Sequence, residues 1–140
     1  MTEPARILLD THAWIWLELG DARFPVRHRR AMSVSSAAGR LYVSAISMLE
    51  IANMDRRKRV LLPIPLHLWF ERAFSSGAVN MLPITPEIAS ETALLPEGFQ
   101  GDPADRLIAA TARVEDLTLC THDKLLLMFG KQGIFKTLAI

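Results

Sequence analysis

Residues 101–123 read GDPADRLIAATARVEDLTLCTHD, and this stretch decides the fold. Asp102-Pro103 opens a helix, because proline is tolerated at a first helical position. Asp105 then falls in the first turn, where a negative charge suits the helix dipole. Leu107, Ala110, Thr111 and Val114 recur at i, i+3, i+4 and i+7, the spacing of one helical face. Leu117–Cys120 follows as a short apolar strand, and a short helix comes after Asp123. Helix, strand and helix in succession are the alternation of an α/β protein.

The rest of the chain keeps that alternation. Arg6–Leu9 reads as a buried strand, followed by a helix carrying Trp14, Trp16 and Leu17. Pro25 to Ala38 reads as a helix with a basic outer face, closed by Gly39, and Leu41–Val43 as the second strand. Ser47 is expected to start a helix that ends near Pro63. Leu66–Phe74 has helical spacing, with Gly77 as its stop signal. Met81–Ile84 reads as a third strand, Thr85-Pro86-Glu87 as a helix start and Ile134–Leu138 as an edge strand. No repeat, low-complexity tract or linker interrupts residues 1–140. The expectation is one α/β domain with a parallel, doubly wound sheet flanked by helices.

Half of the 140 residues are apolar and 22% are charged, which argues against disorder. No apolar run approaches the roughly 18–20 residues needed to cross a bilayer. The N-terminal apolar stretch is short and interrupted by Asp10, so no signal peptide is expected. One cysteine, Cys120, cannot form an internal disulfide; a cytoplasmic setting and a buried, inert thiol are expected. The net charge of +1 gives no general coat of positive charge for nucleic acid. Arg27, Arg29 and Arg30 form one basic group and Arg56, Arg57, Lys58 and Arg59 another; both read as solvated helix faces or ends.

Four acids stand at the edges of apolar segments: Asp10, Glu50, Asp105 and Asp123. Three have a structural reading, whereas Asp10, between an apolar strand and an apolar helix, is harder to dismiss. Ser47-Met48-Leu49-Glu50 matches a capping box, Asp105 suits a first helical turn, and Asp123 suits an N-cap. Together they say more, because a parallel α/β sheet brings strand C-termini and helix N-termini to one edge, where ligands bind. Carboxylates converging there repel one another unless a cation neutralises them or some take up protons. Hard oxygen donors favour Mg²⁺ or Mn²⁺, and metal-assisted phosphodiester cleavage uses such a set. An aspartate after the first strand also opens phosphotransferase sites of the haloacid dehalogenase type. That chemistry wants a second aspartate two residues later, where this chain has His12.

Leu8-Leu9-Asp10-Thr11-His12-Ala13-Trp14, Val43 to Ile51 and Gly101 to Ala112 resemble three motif blocks of PIN-domain proteins. Leu119-Cys120-Thr121-His122-Asp123 resembles the fourth, and the order and spacing are most similar to VapC-type toxins of bacterial toxin–antitoxin pairs. The resemblance implies a single PIN-like domain with a parallel sheet of about five strands and an acidic pocket. It implies a Mg²⁺-dependent endoribonuclease, with Mn²⁺ able to substitute. Asp10, Glu50, Asp105 and Asp123 match the acidic positions, with Asp10 and Asp105 as direct metal ligands. Asp102 matches a further acid that caps the helix, and Thr11 and Thr121 match hydroxyl positions beside the pocket. The partners implied are an RNA substrate, a cognate antitoxin protein and a second copy of the chain, with no membrane. The Trp14–Leu17 helix is a candidate dimer interface.

The chain departs from the pattern at Leu49, where relatives often carry tryptophan, and shows no obvious basic patch after Asp123. His12 and His122 read as packing or supporting groups rather than ligands, since Mg²⁺ has little need of imidazole. Trp14, Trp16 and Trp69 read as core or interface residues before base-stacking platforms. Arg106 is placed either against a phosphate or in an ion pair on its helix. The competing reading is a non-catalytic PIN-fold module that binds RNA or protein and uses its acids only as caps.

Overall fold

Ile7 and Leu9 join one apolar cluster and Leu8 the other, and all three are buried. A run buried on both faces is what a central parallel strand requires. The computed structural model describes residues 3–140. Its five strands are β1 (Ile7–Leu9), β2 (Leu41–Ser44), β3 (Asn80–Leu82), β4 (Thr118–Thr121) and β5 (Lys136–Ala139). They form one sheet in the order β3-β2-β1-β4-β5, with every pairing parallel. The helices are α1 (Thr11–Glu18), α2 (Val26–Ala37), α3 (Ala45–Arg56), α4 (Leu66–Ser75), α5 (Pro86–Glu91), α6 (Pro103–Val114) and α7 (Lys124–Lys131).

The helices cover both sides of the sheet. Trp14, Met32, Ile51 and Trp69, from α1 to α4, pack with Ile7, Leu9, Leu41 and Val43 on one face. Ile108 and Ala109 of α6 and Leu126 and Phe129 of α7 pack with Leu8, Leu117 and Leu119 on the other. The expected parallel, doubly wound architecture is therefore the observed one. The expected strand boundaries shift by one residue in β1, β2 and β4, and by up to two at the sheet edges, where β3 and β5 are shorter or later than the apolar runs Met81–Ile84 and Ile134–Leu138.

Three expectations about elements are corrected. The third helix starts at Ala45, with Ser44 as the N-cap whose Oγ accepts from the Ile46 amide at 3.2 Å. Ser47 lies inside the first turn and is fully buried, so Ser47–Glu50 is not a capping box and Glu50 sits in the second turn. The Trp14–Leu17 surface is no free interface: Trp14, Ile15 and Trp16 are buried within the chain. A helix apolar on all sides belongs inside. Finally, α6 buries the continuous run Ile108–Ala112, while Leu107 and Val114 are only half-buried. The helix packs against α5 as well as the sheet, so its apolar surface is wider than one stripe.

Candidate active site

The chain winds from β1 through β2 to β3 on one side and from β4 to β5 on the other. Where winding reverses, between β1 and β4, a crevice opens outside the carboxyl ends of the strands. Asp10 follows β1 there, its amide donating to the Cys120 carbonyl of β4 at 3.1 Å. A cleft of about 260 Å³ is lined by five carboxylates, those of Asp10, Glu50, Asp102, Asp105 and Asp123. Thr11, His12, His122 and Ile108 complete its wall, and no lysine or arginine lies among the lining residues. The structure thus gathers every acid singled out in the sequence into one place.

Three of the acids reach the cleft as helix N-caps. Asp10 accepts from the Ala13 amide at 2.8 Å, Asp102 from the Asp105 amide at 2.8 Å, and Asp123 from the Leu126 amide at 3.0 Å. Capping fixes one oxygen of each carboxylate and puts the positive ends of α1, α6 and α7 around the cleft, which favours negative charge there. Glu50 and Asp105 cap nothing. Glu50 enters from the second turn of α3, and the Asp105 carboxylate has no hydrogen-bond donor among the described residues.

Two hydroxyl relays hold the inner carboxylates. The Asp123 amide donates to Thr121 Oγ1 at 3.0 Å, which leaves the Thr121 hydroxyl to donate to Asp10 Oδ2. The Thr11 hydroxyl donates to Glu50 Oε1, so the buried Ser47 hydroxyl, 2.8 Å from Thr11 Oγ1, must point its hydrogen at Thr11. Thr11 and Thr121 therefore sit where the sequence placed them, each orienting one carboxylate. Ser47 was missed as a member of this relay. It lies one helical turn before Glu50, but the match to a capping box gave it another reading.

Electrostatically the cleft is an excess of anions. Burial pushes the Asp105 carboxyl up to about 7 from 3.8, helped by the charges of Asp102, Asp123, Glu50 and Asp10. Burial also raises Asp10, against the opposing Thr121 and Ala13 hydrogen bonds, and raises Glu50 against its bond from Thr11. Beside them, burial and the Asp10 charge push the Cys120 thiol up to about 12, so it is a poor nucleophile.

The donor set fits a hard divalent cation, since all five carboxylates offer oxygen and no lysine or arginine lies among the lining residues. Among the described residues, no three His, Cys, Asp or Glu side chains are already grouped to hold an ion. The five carboxylates line one acidic basin.

The remaining candidates divide. His12 and His122 line the cleft, their rings 6.0 Å apart, and His122 packs edge-on against Trp16 at 4.6 Å. Trp14 and Trp69 are buried against each other at 5.2 Å, which removes them as base-stacking platforms. Arg106 is in neither place expected: its guanidinium donates to the Phe99 and Thr92 carbonyls at 2.9 and 2.7 Å, tying down the loop before α6. Gly101 in that loop leaves room that a side chain would take from Phe99 and Asp105.

A five-stranded parallel sheet with acids at the β1/β4 switch point defines the class, an α/β protein with a carboxylate-lined cleft. The sequence matches the PIN domain over residues 7–129, and the chain belongs to the PIN-domain family. It is 36% identical over 118 residues to Ribonuclease VapC22 of Mycobacterium tuberculosis, covering 84% of this chain and 87% of that protein. Among solved structures it is similar in fold to DNA-bound VapBC from Salmonella typhimurium, with a TM-score of 0.69 at 20% identity. It is likewise similar to VapBC2 from Rickettsia felis bound to a promoter DNA fragment, with a TM-score of 0.67 at 14% identity. Both alignments cover 96% of this chain and 98% of the other.

Proposed function

We propose that this protein is a metal-dependent endoribonuclease, the toxin of a toxin–antitoxin pair, that hydrolyses RNA phosphodiester bonds in the acidic cleft. The observation that carries the reading is the convergence of Asp10, Glu50, Asp102, Asp105 and Asp123 in a cleft with no lysine or arginine in its lining. Its similarity to a relative named as a ribonuclease supports the same activity. Asp10 and Asp105 are the proposed direct ligands of Mg²⁺, with Mn²⁺ as a substitute, and Glu50 and Asp123 the supporting acids. When bound, the ion supplies Lewis acidity, polarising a phosphate oxygen and lowering the pKa of water.

The protein's own groups do the rest. Thr121 holds Asp10 in one orientation, and the Ser47–Thr11 relay does the same for Glu50. Glu50, its affinity for a proton raised by burial, is placed to orient water or accept its proton. Asp102 keeps α6 in register so that Asp105, in the first turn, faces the cleft. A purely structural role for the acids suits the three caps but leaves Asp105 only the helix dipole of its first turn, against a charge that burial and four neighbouring carboxylates make unfavourable. We further read residues 1–140 as one PIN-like domain that works in the cytoplasm, pairs with a second copy and is held inactive by a cognate antitoxin.

The test is incubation of total RNA with the purified protein, with Mg²⁺ or with EDTA, beside Asp10→Asn. Asparagine caps a helix as well as aspartate does, so the variant should fold. Discrete fragments should appear with Mg²⁺ alone and fall at least about 100-fold in the variant. Cleavage that survives both EDTA and the substitution would remove the cleft from the reaction. Folded, antitoxin-free protein that cuts nothing would favour the binding-module reading.

A further inference from the structure

The acidic cleft does not end at Glu50. Glu50, Asn53 and Met54 of α3 and Arg57 at its C-cap fall at i, i+3, i+4 and i+7 and share one helical face. With His12, Arg59 and Asp102 they line a second hollow of about 460 Å³, and His12, Glu50 and Asp102 are walls of both. Met54, Arg59 and His12 then continue into a third hollow of about 270 Å³ beside Trp16 and Arg23. The three spaces form one track, acidic at its inner end and basic beyond.

The cations on this track are placed by how α3 ends. Arg57 is its C-cap, Lys58 takes a left-handed φ of 57°, and the Arg59 amide returns to the Met54 carbonyl at 2.8 Å. This is the Schellman closure, which turns the chain sharply. Both arginines then face the hollow, and neither has a carboxylate in ion-pair range among the described residues. Several other arginines are occupied: Arg23 pairs with Asp21 at 2.8 Å, and Arg6, Arg29 and Arg106 donate to backbone carbonyls. Arg27, Arg30, Arg56 and Arg72 line none of these three hollows. A charge run that served only to compensate the helix end has no need to line a groove.

Resting on the ribonuclease reading, we propose that Arg57 and Arg59 hold the phosphates of the RNA strand on one side of the bond to be cut. Seven residues of helix separate Glu50 from Arg57 by about 10 Å. That is on the order of three stacked nucleotide steps. A guanidinium grips phosphate through two parallel hydrogen bonds, which suits a backbone anion better than a compact ammonium does. Continuity with the carboxylate cleft favours RNA over an acidic protein segment, because one strand can lie on the basic track and present its ester to the acids. The exposed His12 ring stands at the junction of all three hollows.

The experiment uses Asp10→Asn protein with Mg²⁺ present and a fluorescein-labelled single-stranded RNA of random sequence, so that binding is read without cleavage. Adding Arg57→Gln/Arg59→Gln should weaken binding about tenfold near physiological salt. It should also lower the slope of log affinity against log salt by about 1.4. Arg57→Lys/Arg59→Lys should keep most of the affinity, and Arg27→Gln/Arg30→Gln, the same charge change on exposed α2, should leave it unchanged. In a wild-type background the glutamine pair should raise KM. Equal affinity for the parent and the glutamine pair, while the wild type cuts RNA, would overturn the track alone and leave these arginines to a protein partner. An equal loss in the α2 control would also overturn it, by reducing the effect to net charge. No binding and no cleavage by any form would overturn both this proposal and the ribonuclease reading.

Discussion

At the scale of single residues, Asp105 shows most directly what the cleft lacks. Its carboxyl is pushed up to about 7, whereas in the unfolded chain it returns to 3.8. The folded state therefore binds this proton more tightly than the unfolded state. Stability falls as pH rises from about 4 through about 7, and the full cost is present above that range. Asp10 and Glu50, both raised, act in the same direction. For a half-buried group screened by solvent the cost is about 1–2 kcal/mol. In EDTA, the melting temperature should decline between pH 5 and 8 (about neutral, where Asp105 titrates). Asp105→Asn should flatten that decline and raise the melting temperature at the alkaline end. A parent curve that rises through this range and matches the variant would mean that Asp105 is not under the strain described.

At the scale of elements, the start of α3 decides what Glu50 does. A helix beginning at Ser47 makes Glu50 a capping partner; a helix beginning at Ala45 sends it one turn deeper, against Thr11. Ser44 ends β2 and Ser47 precedes a glutamate by three, so both serines have the local chemistry of a cap. Only the packing of α1 against α3 separates them, by burying Ser47 beside Thr11. Ser44→Ala should then cost about 1 kcal/mol in thermal or denaturant unfolding, with kcat unchanged. Ser47→Ala should lower kcat several-fold, because Thr11 loses the donor that fixes its own hydroxyl toward Glu50. The reverse pattern, with kcat sensitive to Ser44 and not to Ser47, would contradict the relay.

At the scale of the whole molecule, the sequence was most legible where local period and burial agree. The alternation of helix and strand predicted the parallel sheet, and acids at segment boundaries landed on one edge because parallel strands end there. It was least legible where a residue's partner comes from a distant segment. Arg106 reads locally as a charge beside a charge, but its partners are the Thr92 and Phe99 carbonyls of the segment between α5 and α6. Arg57 and Arg59 read as a solvated helix end, and only the tertiary fold shows that they line the same track as the acids. For α1 a signal was present: Ala13-Trp14-Ile15-Trp16 is apolar on every side, the pattern of a buried helix rather than an interface.

The central claim is that these carboxylates form one cation site. Anomalous diffraction from crystals of the protein soaked in Mn²⁺ tests it most directly. The account predicts a strong peak in the cleft within ligand distance of Asp10 and Asp105, weakened in Asp10→Asn crystals. A cleft without a peak at saturating Mn²⁺, or an ion bound only elsewhere, would contradict it.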